Sequence, residues 1–206
     1  MLAFVKTVLP KVRGERGISL IEIIVVLGVV ATLSAVVIPI TLNYVEDAKK
    51  VRAESEVKSI GSMILRLTRD VAHFPLFKDG TKTAGDTDFD ILQGPGNPPL
   101  DHDTDKWLTT SKIGELEDHL VKNNPGTKKY ASDGRFAWRG YLDRVPEDPW
   151  GNRYLVNIKN ANPAENPAKV VYALSAGPNG KIETKPNELA DSGPTPGGDD
   201  IVARIK

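Results

Sequence analysis

The stretch Gly17-Ile18-Ser19-Leu20-Ile21-Glu22 and the apolar run that follows it decide how this chain is organised. Four basic residues and one acid precede Ile18, and the 25 residues from Ile18 to Leu42 then carry one charge, that of Glu22. A helix of this length, at about 1.5 Å per residue, exceeds the roughly 30 Å hydrocarbon core of a bilayer. The run is therefore long enough to span a membrane, with an acid one turn inside its start.

Composition excludes several classes of protein. The 206 residues contain 27 Lys and Arg against 27 Asp and Glu, and the basic start leaves the remainder slightly acidic, so we expect no nucleic-acid partner. The chain has no cysteine, which excludes a disulfide framework or a thiolate metal site. The three histidines are scattered, and no phosphate loop, dinucleotide turn or zinc spacing is present. We therefore expect that the protein is not an enzyme.

Three interpretations compete for residues 1–42. A secretory signal peptide has a shorter apolar region, of about 7–15 residues, that ends at a cleavage site between small residues. A plain signal-anchor helix explains the length and the basic flank, which predicts a cytoplasmic N-terminus. It does not explain Glu22, because an acid in hydrocarbon is costly and normally has a partner.

The third interpretation supplies that partner, because cleavage between Gly17 and Ile18 would create an α-amine four residues before Glu22. In an assembly, the amine of one subunit could pair with the acid of its neighbour. The stretch resembles the class III signal peptides of the type IV pilin and pseudopilin superfamily, with Gly17 ending the leader, Glu22 at the fifth mature position and Pro39 at the twenty-second. The resemblance implies that a prepilin peptidase cleaves after Gly17 and N-methylates Ile18, although the leader is longer than most.

Helical periodicity continues beyond the apolar run as an amphipathic stripe that steps by three and four residues. Pro75 ends the pattern, because a proline pushes the preceding residue, Phe74, out of helical geometry. We expect one helix of about 55 residues, half in lipid and half in water, whose stripe is covered by the downstream domain. The stripe comprises Val57, Ile60, Ile64, Leu67 and Val71.

Residues 76–105 are rich in Gly, Pro, Asp and Thr and are predicted to form a surface loop. Aspartates alternate in residues 86–90 and 101–105, as in some calcium loops. Neither cluster has the mid-loop glycine and final glutamate of an EF-hand, so solvated loop acids are the default interpretation and a looser metal site is the alternative. A short helix is expected over residues 112–123.

Residues 136–206 are predicted to form short strands joined by turns. Asp148-Pro149-Trp150-Gly151-Asn152 reads as a tight turn, because proline fixes φ and Gly151 can take a positive φ. The fold class expected is α+β and pilin-like: a long N-terminal helix, with a transmembrane and an amphipathic half, packed on a small antiparallel C-terminal sheet. The strand candidates are residues 136–142, 153–159, 169–175 and 201–205.

Together with Gly140-Tyr141-Leu142, this turn resembles a motif of the major pseudopilins of type II secretion systems. The family reads Gly-Pro-Tyr-Leu and then Asp-Pro-Trp-Gly-Asn-Pro-Tyr, whereas this chain lacks the first proline and has Arg153 in place of the last. The family continues with a Ser-Leu-Gly-Ala-Asp-Gly turn and a glycine-rich loop ending in Asp-Ile, which together bind one structural calcium. Residues 175–180 and 197–201 match these two features.

The resemblance implies a structural Ca²⁺ here, and calcium takes six to eight oxygen ligands. Asn179 stands where the family has an aspartate, which loses a charge, although Asp191 in the longer stretch 181–196 could compensate. The alternative is a flexible Gly/Pro/Asp loop with no ion. The candidate calcium residues are Ser175, Asn179, Asp191, Asp199 and Asp200.

The resemblance implies a structural subunit of a type II secretion pseudopilus that polymerises from the inner membrane and helps to export folded proteins. Its partners would be other copies of itself, the prepilin peptidase, minor pseudopilins, the inner-membrane assembly platform and the membrane. The chain would cross the bacterial inner membrane once, with a cytoplasmic N-terminus and a periplasmic C-terminal domain. A type IV pilin for adhesion or motility and a membrane-anchored periplasmic binding module are the alternatives. The expected regions are a leader (1–17), a transmembrane half-helix (18–44), an amphipathic half-helix (45–75), a variable insertion (76–135) and the sheet with its candidate calcium loop (136–206).

Overall fold

The computed structural model describes residues 17–82, 86–161, 170–186 and 195–206. The chain divides into two compact units, Met1–Val45 and Glu46–Lys206. Helix α1 spans Leu20–Val71, 52 residues, and contributes to both units. The long N-terminal helix expected from the sequence is thereby confirmed.

The described part of the first unit, residues 17–45, exposes its apolar side chains. Every residue from 17 to 45 is exposed except Ser34, which is half-buried. Leu20 and Ile21 each expose more than two thirds of their surface, at 76% and 71%. Among the described residues, α1 is the one helix whose length and apolar composition suit a membrane crossing, which fits a single-pass anchor.

In the second unit, the predicted stripe of α1 is buried, with exposures between 0% and 8%. It packs in one hydrophobic cluster with residues of the sheet and of the preceding loops. The helix ends at Val71, earlier than Pro75 predicted, because Ala72 takes a φ of +66° and turns the chain out of helical geometry. The stripe prediction is confirmed, and the helix ends before the Phe74-Pro75 step at which it was predicted to end.

Within the described residues, five short strands form one sheet: β1 (Ile91–Gln93), β2 (Ile113–Glu115), β3 (Leu155–Asn157), β4 (Tyr172–Ser175) and β5 (Ile201–Arg204). Their order across the sheet is β2-β1-β3-β4-β5. Strands β1 and β2 pair in parallel, and the other neighbours pair antiparallel. The α+β pilin-like fold is confirmed, but the sheet is mixed rather than antiparallel, since residues 94–112 provide the crossover that a parallel pair needs. The other elements after α1 are α2 (Trp107–Thr110), α3 (Leu116–Leu120) and a 3₁₀ turn (Lys159–Ala161).

Three local predictions were wrong. Residues 136–142 form no strand, because Gly140 has a φ of +73° and the amides of Trp138 and Tyr141 bond to Ala131 and Leu120 rather than to a ladder. The predicted loop 76–105 contains β1, and the predicted helix 112–123 is divided between β2 and α3. The other three strand predictions correspond to β3, β4 and β5.

The central strands are buried on both faces. Ala173 of β4 joins the cluster around α1, whereas Tyr172 and Leu174 join a second cluster on the opposite face. Ala176 and Ile182, which follow β4, are fully buried in that second cluster. The stretch after β4 therefore covers the face of the sheet that the helix leaves open, and this places the candidate calcium loop.

Candidate functional site

The turn at residues 148–152 is organised by the carboxylate of Asp148, which is 4% exposed. Its Oδ1 accepts hydrogen bonds from the amides of Trp150 (3.0 Å) and Asn152 (2.7 Å). Its Oδ2 accepts a bond of 2.8 Å from the hydroxyl of Ser175. Gly151 has a φ of +85°, as expected for this turn. One buried acid thus fixes the turn and ties it to the end of β4.

The turn directs two aromatic side chains toward α1. The indole N–H of Trp150 donates to Oε2 of Glu46 at 3.1 Å, and the hydroxyl of Tyr154 donates to Oε2 of Glu56 at 2.5 Å. Hydrogen bonds from Lys49 and then Trp150 hold the pKa of Glu46 below its usual range, and burial, followed by the bond to Glu56, raises the pKa of Tyr154. These two hydrogen bonds therefore connect the segment that leads into β3 to residues 46–56 of α1.

The structure brings together three of the candidate calcium residues. The amide of Asn179 donates to Oδ2 of Asp199 at 3.1 Å. Oδ2 of Asp200 accepts from the amides of Glu183 (2.8 Å) and Thr184 (2.6 Å). The hydroxyl of Ser175 bonds to Asp148 instead, and Asp191 lies outside the described residues.

Two oxygens of this loop match the chemistry of calcium. Oδ1 of Asp199 and Oδ1 of Asp200 are buried without a hydrogen-bond partner. Burial is the main cause that raises the pKa of Asp200, and a cation would offset that cost. Within the described ranges, no three His, Cys, Asp or Glu side chains are grouped as metal ligands, so backbone carbonyls would supply much of the coordination. The residues present fit a calcium held by two carboxylates and carbonyl oxygens.

Sequence reasoning missed one acid at this loop, Glu183. Its Oε2 accepts from the side-chain amide of Asn179 and from the amide of Asp199, both at 3.2 Å. No motif points to Glu183. The sequence offered one signal: Glu183 lies four residues after Asn179, close enough for the two side chains to meet across the Asn179-Gly180 turn.

The processing and assembly residues lie at the start of α1. Gly17 and Ile18 are exposed and precede the helix. The amide of Glu22 donates to the side-chain oxygen of Ser19 at 3.2 Å, which makes Ser19 the helix cap, and Glu22 falls at the acidic position of a capping box. Ile18, Glu22 and neighbouring apolar side chains line a shallow groove. Among the described residues Glu22 forms no ion pair, so a charge stands unpaired on an apolar surface.

The aspartate clusters of the insertion serve local structure. Asp101 accepts bonds from the amides of Leu108 (3.1 Å) and Thr109 (2.9 Å), which begin the short helix α2. Asp90 accepts a bond of 3.0 Å from the amide of Lys112, at the parallel β1–β2 pair. These two acids therefore have structural partners within the insertion.

Comparison with known proteins gives one consistent result. The chain is 26% identical over 171 residues to the type II secretion system core protein G of Escherichia coli K12, which covers 83% of this chain and 87% of that protein. It is 25% identical over 142 residues to the protein of the same name from Pseudomonas aeruginosa, covering 69% and 72%, and 24% identical over 142 residues to that from Dickeya chrysanthemi, covering 69% and 67%.

No family model and no solved structure matches the chain. The similarity to core G proteins extends over most of the chain and confirms the resemblance to major pseudopilins. It also supports a pseudopilin role. The names of these relatives are those of secretion-system components, and none is the name of an enzyme.

Proposed function

We propose that this chain, a homologue of the type II secretion core protein G, is a structural subunit of a type II secretion pseudopilus and has no catalytic role. It is processed by a prepilin peptidase between Gly17 and Ile18 and polymerises from the inner membrane to help export folded proteins. The observation that carries the proposal is an exposed Gly17–Ile18 bond directly before an apolar helix surface that no described residue covers.

That apolar surface needs two successive environments. Before assembly, the bilayer covers residues 18–45, and the basic flank keeps the N-terminus cytoplasmic and the second unit periplasmic. After assembly, neighbouring copies cover the same surface. Because the burial of apolar area stabilises both arrangements, the subunit can pass from membrane to filament without exposing the helix to water.

Glu22 determines how the subunits align when they pass from the membrane into the filament. An unpaired acid in an apolar environment is costly, and the mature α-amine of Ile18 carries the opposite charge. Pairing the amine of one copy with Glu22 of the next relieves both charges and fixes the axial register of the subunits. A neutral residue at position 22 would leave the helices free to slide.

A structural calcium completes the second unit. Asp199, Asp200 and the loop carbonyls hold it, with Asn179 adjacent, and Ser175 anchors the loop to the turn through Asp148. The ion joins the irregular stretch after β4 to the sheet in a chain that has no cysteine. The remaining partners are minor pseudopilins and the inner-membrane assembly platform.

A gene deletion in the native host tests this role against the alternatives. Loss of secreted folded proteins, with surface pili retained and secretion restored by the intact gene, is the expected result. Loss of surface pili with normal secretion would identify a pilin for adhesion or motility. A strain with both secretion and pili intact would favour a membrane-anchored binding module.

A further inference from the structure

The loop after β4 contains an acid whose position the sequence motif does not explain. The resemblance places an aspartate where this chain has Asn179, so the loop lacks one expected charge. Glu183, four residues later, directs its carboxylate to this position: Oε2 accepts from the side-chain amide of Asn179 at 3.2 Å. An aspartate at position 179 would repel that carboxylate, whereas the asparagine donates to it.

The backbone around Glu183 is shaped to admit its carboxylate. A Cβ at Gly198 would collide with Oε2 of Glu183, and Gly198 has a φ of +49°. The same Oε2 accepts a bond of 3.2 Å from the amide of Asp199. Glu183 therefore occupies a space that a glycine leaves inside the loop, although its backbone lies on the opposite strand of that loop.

A second observation points to a cation at this position. Asp200 is 5% exposed, and its Oδ1 has no hydrogen-bond partner. Its Oδ2 accepts from the backbone amide of Glu183, and the Glu183 carboxylate accepts from the amide of Asp199, so both acids belong to the same close approach of the two sides of the loop. A buried carboxylate with a free oxygen, in a loop that holds further acids, is stabilised by a positive charge beside it.

We propose that Glu183 supplies the negative charge of this calcium loop that Asn179 does not carry. Relative to the family motif, the negative charge lies four residues later in the chain. The side-chain amide of Asn179 donates the hydrogen bond that positions the Glu183 carboxylate. This inference rests on the calcium binding proposed above and not on the filament role.

Calcium titration of the full chain in detergent micelles, by calorimetry with calcium as the sole added metal, tests the exchange of charge. We expect Glu183→Gln to weaken calcium affinity by about tenfold or more, since affinity follows the negative charge that the loop presents to the ion. Asn179→Asp combined with Glu183→Gln should restore affinity to within about threefold of the original chain, because the charge returns to position 179. Asp103→Asn is the matched control: Asp103 pairs with Lys181 beside the loop but is 73% exposed, and its loss should leave affinity unchanged.

Three results would overturn the inference: unchanged affinity in Glu183→Gln, failure of the double variant to recover, or no calcium binding by the original chain. Circular dichroism checks folding. If Glu183→Gln is unfolded, Glu183→Asp replaces it, which keeps the charge but withdraws it by one methylene. Weakened affinity then supports the inference and unchanged affinity overturns it. The filament role is read separately, from the processed N-terminus, so the two failures are distinguishable.

Discussion

The indole nitrogen of Trp150 donates a hydrogen bond of 3.1 Å to Oε2 of Glu46, a residue 104 positions earlier in the chain. Tyr154 makes the equivalent bond to Glu56, from 98 positions away. Both aromatic residues belong to the motif at residues 148–154, whose sequence resembles that of the major pseudopilins. The motif therefore has a structural role, because its two aromatic side chains connect the sheet to α1. The buried carboxylate of Asp148 holds the turn in the conformation that directs Trp150 to the helix.

The substitution Tyr154→Phe should measure how much the Tyr154–Glu56 hydrogen bond contributes to the free energy of unfolding. The ring is fully buried and stays in place, while Glu56 loses one donor. Because the bond involves a carboxylate, we expect the free energy of unfolding to fall by about 1–3 kcal/mol in urea titrations. Tyr44→Phe is the control, since Tyr44 is 70% exposed and its change should cost less than about 0.5 kcal/mol. Equal stability of the two variants would show that the Tyr154–Glu56 bond contributes nothing.

The buried His119 predicts a loss of stability in acid. Burial, and then the charge of His73, lowers its pKa from 6.5 to about 3. Below pH 6.5 the unfolded chain binds a proton at this histidine that the folded chain does not. Stability therefore falls as the pH drops from 6.5 toward 3, by up to about 1.4 kcal/mol per pH unit.

Unfolding titrations at several pH values isolate this contribution. His119→Asn should remove it, so that its stability difference from the original chain narrows in acid. A His119 variant with an unaltered slope between pH 6.5 and 4 would contradict the prediction.

Calcium should raise the melting temperature of the full chain, because a ligand that binds only the folded state stabilises it. At about one hundred times its dissociation constant, the ion adds about 2.7 kcal/mol. Asp199→Ala with Asp200→Ala should abolish the shift, since both free carboxylate oxygens are removed. Asp143→Ala, at an exposed acid of the second unit, is the control and should retain it. An equal shift in all three chains would place the ion elsewhere.

Variants at residue 22 separate assembly from helix capping. Glu22→Gln keeps a side chain that suits the capping box but loses the charge, and Glu22→Ala loses both. If the charge pairs with a neighbouring amine, both variants should reduce filament formation and secretion by about tenfold or more, given the cost of an unpaired charge in an apolar environment. Ser19→Ala is the control: it removes the cap bond, at a cost of about 1 kcal/mol, and keeps the charge, so assembly should persist. Normal assembly by Glu22→Gln would assign Glu22 to capping alone.

The local pattern of the sequence was sufficient for α1 and for its buried stripe, because helical periodicity is a property of neighbouring residues. It was not sufficient for the sheet. Strands β1 and β2 have three residues each and too little alternation to be recognised, and their pairing partners lie far away in sequence. Residues 136–142 have the apolar pattern of a strand, yet Trp138 and Tyr141 satisfy their amides by single bonds to separate segments.

The acids of the candidate calcium loop were likewise predicted only in part. Asp199 and Asp200 were found through a motif, and the structure shows that each has a buried free oxygen. Glu183 was not found, because its role depends on the close approach of its carboxylate to Gly198 across the loop. Contacts of this kind are set by tertiary packing and leave no periodic trace in the sequence. Ser175 shows the reverse: the motif includes it among the calcium residues, and its hydroxyl bonds to Asp148.

Whether the chain is a processed filament subunit can be read from the N-terminus of the protein purified from membranes of its native host. Mass spectrometry combined with N-terminal sequencing identifies both the first residue and its modification. We expect a chain that begins at Ile18 and carries an N-methyl group. A membrane-bound protein that still begins at Met1 would contradict it.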